Sequence, residues 1–145
     1  MKIHPIYPGA YCVPSAIQAL TGADYASVIH PSINRHSDKK RDLLDHVTGE
    51  HMSVASAVLD ELGYNVRAYK SRPAAPLRAH VATWAKRAGE RWPGRAVLVA
   101  TRSHALVISD GKVYDNHMPL GAAGDAHPYS KSTVVWAALV EPKHV

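Results

Sequence analysis

The residues of this chain best suited to chemistry are its only cysteine, Cys12, and two polar residues far along the sequence, His104 and Asp115. A cysteine attacks as its thiolate, which an imidazolium or the N-terminus of a helix stabilises. A histidine beside the thiol can take its proton and later give it to the leaving group, and a carboxylate can fix the histidine tautomer. These three residue types therefore predict a Cys-His-Asp triad, provided that the fold brings them together.

Cys12 is predicted to open a helix. The apolar residues that follow it recur at helical spacing, and Gly22 ends the pattern. Pro14 is tolerated only in the first turn of a helix, where its missing N–H costs no hydrogen bond. The helix therefore begins at or just before Cys12, where its first N–H groups are unpaired and favour negative charge.

The next segment predicts a short helix and then a loop. Asp24 can cap a helix that runs through Ile29, and Pro31 is expected to close it. Residues 32–50 are polar and show no periodicity, which is typical of a long loop.

The middle of the chain predicts two further helices around a strand. Ser53 can cap a helix that ends at Gly63, because the apolar residues between them lie on one helical face. Residues 65–69 alternate as in a strand. An amphipathic helix is expected to start near Leu77 and to end near Gly89.

The last third of the chain predicts strands. Apolar and β-branched residues form four runs, at 96–101, 105–109, 112–115 and 133–140. Helices followed by an antiparallel sheet indicate an α+β fold, and 145 residues are enough for a single domain spanning 1–145. His104 directly precedes one predicted strand, and Asp115 ends the next.

The turn between these two strands fixes their register. Asp110-Gly111 is a strong signal for a two-residue hairpin, which places Ser109 opposite Lys112. The short loop therefore makes the pairing of more distant residues predictable.

That register places the histidine and the aspartate on one face of the sheet. His104 opposes His117 and Leu106 opposes Asp115, and side chains alternate faces along each strand. His104 and Asp115 are then diagonal neighbours, roughly 7–8 Å apart at the backbone and within side-chain reach. Asn116 points to the opposite face, so Asp115 is the predicted partner of His104.

The order of these parts resembles the papain-like cysteine peptidases, in which a cysteine opens a helix and a histidine opens a later strand. More narrowly, YCVPSAIQALTGADYASV, LDELGY and HALVISDGKVYDN are similar to small phage-encoded, C39-peptidase-like proteins, from about residue 7 to residue 118. The resemblance implies a papain-like fold with Cys12 as nucleophile, His104 as general base and Asp115 as the orienting residue. It also implies a peptide or protein substrate, cleavage of a peptide or isopeptide bond without a cofactor, and a location in the host cytoplasm.

One feature of this family is absent. Its members carry a glutamine before the cysteine as an oxyanion donor, whereas HPIYPGAY contains none and the only glutamine, Gln18, lies inside the predicted helix. The backbone N–H of Cys12 is then the expected donor, with Tyr7, His4 or Ser15 as candidates for a second. Loss of one oxyanion donor typically costs about 10²–10³ in turnover.

Other interpretations of the same residues stay open. A lone cysteine often packs as a small buried hydrophobe. The chain could also be a papain-like shell, weakly active or inactive, that binds a host protein or nucleic acid. HALVISDGKVYD is also similar to the histidine strand of NlpC/P60 cell-wall amidases, although these show Asp-Cys-Ser-Gly where this chain has Tyr-Cys-Val-Pro.

Composition and charge exclude several other kinds of site and partner. One cysteine excludes an intramolecular disulfide or a multi-cysteine zinc site, and the ten histidines show no metal-protease spacing, so no metal is predicted. The formal charge of +5 is interleaved with acids in 35–42, which favours a solvated loop over a nucleic-acid surface. No run of roughly 20 apolar residues is present, and MKIHPIYPGAYC lacks the features of a signal peptide. We therefore expect no membrane span and a cytoplasmic location, and the oligomeric state is left open.

Overall fold

The computed structural model describes residues 1–6, 11–37, 49–69 and 79–143. The helices are α1 (Cys12–Thr21), α2 (His30–His36), α3 (Gly49–Glu61) and α4 (Val81–Arg91), with a π-helical turn, Tyr25–Ile29, running directly into α2. The strands are β1 (Tyr64–Ala68), β2 (Ala96–Ala100), β3 (Ala105–Ser109), β4 (Lys112–Tyr114), β5 (Ala122–Ala123) and β6 (Trp136–Pro142).

The strands form one sheet in the order β1-β6-β2-β3-β4-β5, and every neighbouring pair is antiparallel. The last strand of the chain, β6, therefore lies between β1 and β2. It connects β1 to the part of the sheet that β2, β3, β4 and β5 form. Helices packed on an antiparallel sheet confirm the α+β class predicted from the sequence.

Both faces of the sheet are covered by helices. Residues of α1 and α3 form one apolar cluster with one face of β2 and β3, and residues of α4 form a second cluster with the opposite face. Every residue of β2 and of β3 is therefore buried. This explains why their sequences are continuously apolar rather than alternating. In the part of the chain that the structure describes, no helix is long and apolar enough to cross a membrane.

Helix α1 has the bounds expected from its sequence. It begins at Cys12, Pro14 lies in its first turn, and Gly22 ends it with a φ of 71° and an N–H that donates to the Gln18 carbonyl. Tyr11 occupies the N-cap position, and its side chain makes no capping hydrogen bond. The N-terminus of α1 is thus without the side-chain acceptor that usually satisfies its N–H groups.

Two of the predicted helix boundaries are wrong. Pro31 does not close a helix, because it lies in the first turn of α2, where proline is tolerated, and α2 continues to His36. The predicted loop over 32–50 therefore includes most of α2 and the start of α3, and residues 38–48 lie outside the described residues. Ser53 is not an N-cap, because α3 begins four residues before it.

Helix α4 ends at Arg91, two residues beyond Gly89, which agrees with the predicted end near Gly89. Gly89 lies where α4 crosses the β3–β4 turn. A Cβ at this position would be 3.0 Å from the backbone nitrogen of Gly111, so the missing side chain permits close packing. Leu77, the predicted start of this helix, lies outside the described residues.

The β3–β4 hairpin has the predicted register. Ser109 pairs with Lys112, and Asp110 and Gly111 both have positive φ angles, of 49° and 80°. Positive φ at both loop residues is typical of a type I′ turn. Strand β4 ends at Tyr114, one residue earlier than predicted, so Asp115 lies just beyond the ladder.

The remaining strand boundaries differ by a few residues. Strand β1 starts one residue before the predicted 65–69, and β2 ends one residue before the predicted end. Strand β6 spans Trp136–Pro142 rather than 133–140, because Thr133 pairs instead with His80 at the start of α4. The two-residue strand β5 was not predicted.

Candidate active site

Cys12 is the first residue of α1, and its side chain is buried, with 7% of the residue exposed. The backbone N–H of Ser15 donates to the Tyr11 carbonyl at 2.9 Å, and Pro14 has no N–H. Helix geometry therefore leaves the N–H groups of Cys12 and Val13 without intrahelical acceptors, so the thiol lies at the positive end of the helix dipole.

His104 and Asp115 are in direct contact. The Nε2 atom of His104 lies 2.6 Å from the Oδ2 atom of Asp115, and both residues are buried. His104 is held at the start of β3 by its carbonyl, which accepts the backbone N–H of Thr101 at 2.8 Å. The hairpin thus brings together the two residues that its register placed on one face.

The Cys12 side chain lies close enough to the His104 ring to affect its pKa. Burial favours the neutral imidazole, but the hydrogen bond to Asp115 and the nearby Cys12 outweigh it and raise the pKa of His104 to about 9. The imidazolium is therefore the main form at neutral pH. Because Nε2 faces Asp115, Nδ1 is the ring nitrogen that is left for the Cys12 sulfur. The structure thus brings the three predicted residues into one connected group.

Asp115 is completely buried and accepts several hydrogen bonds. Burial disfavours its charge, but contacts with His104 and His127 and the backbone N–H of Met118 hold the pKa of this carboxyl well below its ordinary value. Its Oδ1 atom accepts the N–H groups of His117 at 3.0 Å and Met118 at 2.8 Å. Asp115 is therefore a fixed carboxylate at neutral pH, suited to orienting His104.

His127 is a second buried histidine at this carboxylate, and the sequence did not predict it. Its Nδ1 atom accepts the backbone N–H of Tyr129 at 3.0 Å, so a neutral ring carries its proton on Nε2. That Nε2 lies 3.1 Å from Oδ1 of Asp115, but it does not form a well-aligned hydrogen bond. His127 thus makes a favourable electrostatic contact with Asp115.

An aromatic side chain covers the His104 ring. The rings of Tyr129 and His104 stack with centroids 4.3 Å apart and an interplanar angle of 14°. His117, which the predicted register placed opposite His104, is exposed, and its ring centroid lies 5.5 Å from that of His104. Tyr129 therefore limits rotation of the imidazole. No spacing rule connects it or His127 to the hairpin, so only three-dimensional packing could identify them.

The candidate oxyanion donors have different locations. The His4 ring packs against Gly22 at the far end of α1, roughly 15 Å from Cys12 at 1.5 Å per helical residue, so His4 is not a donor. Gln18 donates to the Ala23 carbonyl at 3.3 Å, near that same end of α1.

Ser15 lies one turn from Cys12 on the same side of α1. Its hydroxyl is buried and has no hydrogen-bond partner among the described residues. Tyr7 lies outside the described residues.

The arrangement of these groups suits nucleophilic chemistry by a thiol. The sulfur lies near an imidazolium that a buried carboxylate fixes, and it lies at the N-terminus of α1, whose first N–H groups have no intrahelical acceptor. Within residues 1–6, 11–37, 49–69 and 79–143, no group of three His, Cys, Asp or Glu side chains could hold a metal ion. Comparison with protein-family models, with curated proteins and with solved structures finds no match to this chain.

Proposed function

We propose that this chain is a papain-like thiol hydrolase that cleaves a peptide or isopeptide bond through an acyl-enzyme on Cys12. The observation that carries the proposal is the position of His104, whose ring lies 2.6 Å from the buried Asp115 and close enough to Cys12 for the thiol to raise its pKa. A thiol, a base and a fixed carboxylate in this order are the parts that thiol hydrolases use.

In the first half of the reaction, the Cys12 thiolate attacks the carbonyl carbon, and the carbonyl electron pair moves to the oxygen. The developing oxyanion accepts hydrogen bonds from the Cys12 backbone N–H and from the Ser15 hydroxyl, whose proton has no other acceptor among the described residues. The His104 imidazolium gives its proton to the leaving nitrogen. The C–N bond then breaks and a thioester remains on Cys12.

In the second half, neutral His104 takes a proton from a water molecule that attacks the thioester carbon. The C–S bond breaks, the acid product leaves, and the proton on His104 restores the ion pair with Cys12. Asp115 stays ionised in both halves and keeps Nε2 of His104 protonated, which leaves Nδ1 to exchange the proton.

The competing candidate is a papain-like protein that binds a partner without hydrolysis. The absence of a glutamine before Cys12 favours it, because the second oxyanion donor is then a hydroxyl rather than an amide. An NlpC/P60-like amidase is a narrower variant of the hydrolase proposal, and it differs in cleaving peptidoglycan fragments rather than proteins.

Hydrolysis in ¹⁸O-labelled water tests the proposal. The chain is incubated with a denatured protein mixture, with a ubiquitin isopeptide substrate and with peptidoglycan fragments, and new ¹⁸O-labelled carboxylates are located by mass spectrometry. The proposal expects label that is absent with Cys12→Ala and strongly reduced with His104→Gln, and unchanged with His36→Gln, whose ring faces Glu61. Label from peptidoglycan alone would favour the amidase. Label from none of them would favour the binding protein and reject the hydrolase.

A further inference from the structure

A polar cavity of about 470 Å³ lies at the β2–β3 turn, which directly precedes His104 in the chain. Its lining includes two cationic and four hydroxyl side chains, which are Arg102, Lys131, Thr101, Ser103, Ser132 and Thr133. The guanidinium of arginine, the ammonium of lysine and side-chain hydroxyls are the groups that bind carboxylates in proteins.

Two chain segments join this cavity to the candidate active site. Ser103 directly precedes His104, and the Thr101 backbone N–H donates to the His104 carbonyl at 2.8 Å. Lys131 follows two residues after Tyr129, whose ring stacks on His104. The cavity therefore lies beside the proposed catalytic base.

The segment that carries Lys131 is held in place by backbone hydrogen bonds. The Ser132 carbonyl accepts the N–H of Val81 at 3.0 Å, and Thr133 pairs with His80. One wall of the cavity is thus fixed to the start of α4, so little ordering is needed when a ligand binds.

The cations of this cavity differ from Arg35 and Arg95, which are neutralised by acidic partners. Arg35 pairs with Glu61 at 2.9 Å, and Arg95 with Glu141 at 3.1 Å. Arg102 and Lys131 are exposed and make no ion pair among the described residues. Their charges are therefore available to a ligand.

A second, larger cavity provides a contrast. It measures about 670 Å³ and lies between α4 and the β3–β4 turn. Its charged lining is Lys86 with three carboxylates, those of Glu90, Asp110 and Asp125. That cavity repels an anion, whereas the cavity beside His104 has no carboxylate among the described residues that line it.

We infer that the cavity beside His104 is a substrate subsite that binds a carboxylate of a peptide, and that Arg102 and Lys131 hold it. The inference rests on the proposed function, since the carboxylate belongs to the substrate whose bond Cys12 attacks. The carboxylate can be an acidic side chain or the C-terminus of the substrate, because both present the same two oxygens.

Three alkylating probes of matched size test the subsite. N-iodoacetyl-glutamate α-amide carries a side-chain carboxylate, N-iodoacetyl-glutamine carries a terminal carboxylate, and N-iodoacetyl-glutamine amide carries none. Each reacts with Cys12 by forming a C–S bond as iodide leaves, and the second-order rate constant is measured by mass spectrometry. The variants are Arg102→Gln, Lys131→Gln and the double variant, with Lys86→Gln in the other cavity as the control.

At least one acidic probe is expected to react about two- to thirtyfold faster than the neutral probe, the range for two exposed ion pairs. The preference should fall to about one in the double variant, persist in Lys86→Gln and decrease with added salt. Whichever acidic probe is preferred identifies a side-chain or a terminal carboxylate as the ligand. Equal rates for all three probes, or a preference that survives the double variant, would overturn the inference.

A result that rejects the subsite can be distinguished from a result that rejects the proposed function. The preference is a ratio between probes on one protein, so it is measurable even where Cys12 is no more reactive than a free thiol. Fast reaction without preference would reject the subsite alone. Slow reaction with all probes would count against the activated thiol, and the ratio would still decide the subsite.

Discussion

Replacing Asp115 with asparagine should lower the pKa of His104 from about 9 to 6.5 or below. Asparagine has the shape of aspartate but no charge, and the Asp115 hydrogen bond is the strongest of the contacts that raise the pKa of His104. Burial, which favours the neutral ring, is then opposed mainly by Cys12. A pKa of about 9 instead of 6.5 corresponds to roughly 300-fold, or about 3 kcal/mol, in favour of the imidazolium.

The assay for this prediction is ring-nitrogen NMR on ¹⁵N-histidine protein between pH 5 and 10, with the His104 signals assigned from His104→Gln. The wild-type ring should titrate near pH 9 and the Asp115→Asn ring at or below 6.5. A titration near pH 9 in Asp115→Asn would refute the role given to the carboxylate. A wild-type titration at or below 6.5 would refute the effects of both Asp115 and Cys12 on the His104 ring.

The same pKa shifts make the stability of the chain depend on pH. Since folding raises the pKa of His104, its contribution to stability is complete below about pH 6.5 and is lost as the pH rises through about 9. Since folding lowers the pKa of Asp115, its contribution is present above pH 3.8 and is lost as the pH falls below that value. Urea unfolding should therefore show the largest difference between wild type and Asp115→Asn between about pH 4 and 6.5. A difference that is constant from pH 4 to 9.5 would contradict this account.

Three further changes test other parts of the site and fold. Ser15→Ala should lower the rate of ¹⁸O-detected hydrolysis by about 10²-fold. It should leave the rate of iodoacetamide alkylation unchanged, because alkylation forms no oxyanion. Equal effects on the two rates would contradict a donor role for Ser15. His127→Leu should reduce the free energy of unfolding by about 1–3 kcal/mol, because it removes a polar contact to a buried carboxylate. His127→Gln keeps an N–H donor and should therefore reduce it less. Equal losses in the two variants would reject the contact. Gly124→Ala should destabilise by about 1–3 kcal/mol, because its Cβ would lie 2.6 Å from the Ala85 Cβ. Urea unfolding should show partial recovery in Gly124→Ala/Ala85→Gly, and no recovery would reject the clash.

The parts of the site that local chemistry determines could be predicted from the sequence. Pro14 and Gly22 bound α1 closely enough to place Cys12 at its start. Asp110-Gly111 fixed the register of one hairpin, and that register was enough to bring His104 toward Asp115. Both inferences depend on residues less than about a dozen positions apart, where backbone geometry leaves few alternatives.

The parts that tertiary packing determines could not be predicted. Pro31 carries a helix-ending signal, but it lies in the first turn of α2, a position that depends on where the helix starts. Gly89 lies inside α4, which continues to Arg91. Glycine at position 89 serves instead the close approach of α4 to the β3–β4 turn. His127 and Tyr129 reach the site from a segment without periodicity, so no pattern linked them to Asp115 or His104.

The central claim is that His104 activates the Cys12 thiol, and the rate of iodoacetamide alkylation near pH 6 tests it most directly. At this pH the imidazolium next to the sulfur is fully formed, because the pKa of His104 is raised to about 9. Wild-type Cys12 should react about tenfold faster than glutathione, and His104→Ala and His104→Gln should both remove the advantage, whereas His36→Gln should retain it. A wild-type thiol that reacts no faster than glutathione and is unaffected by either His104 variant would contradict the account.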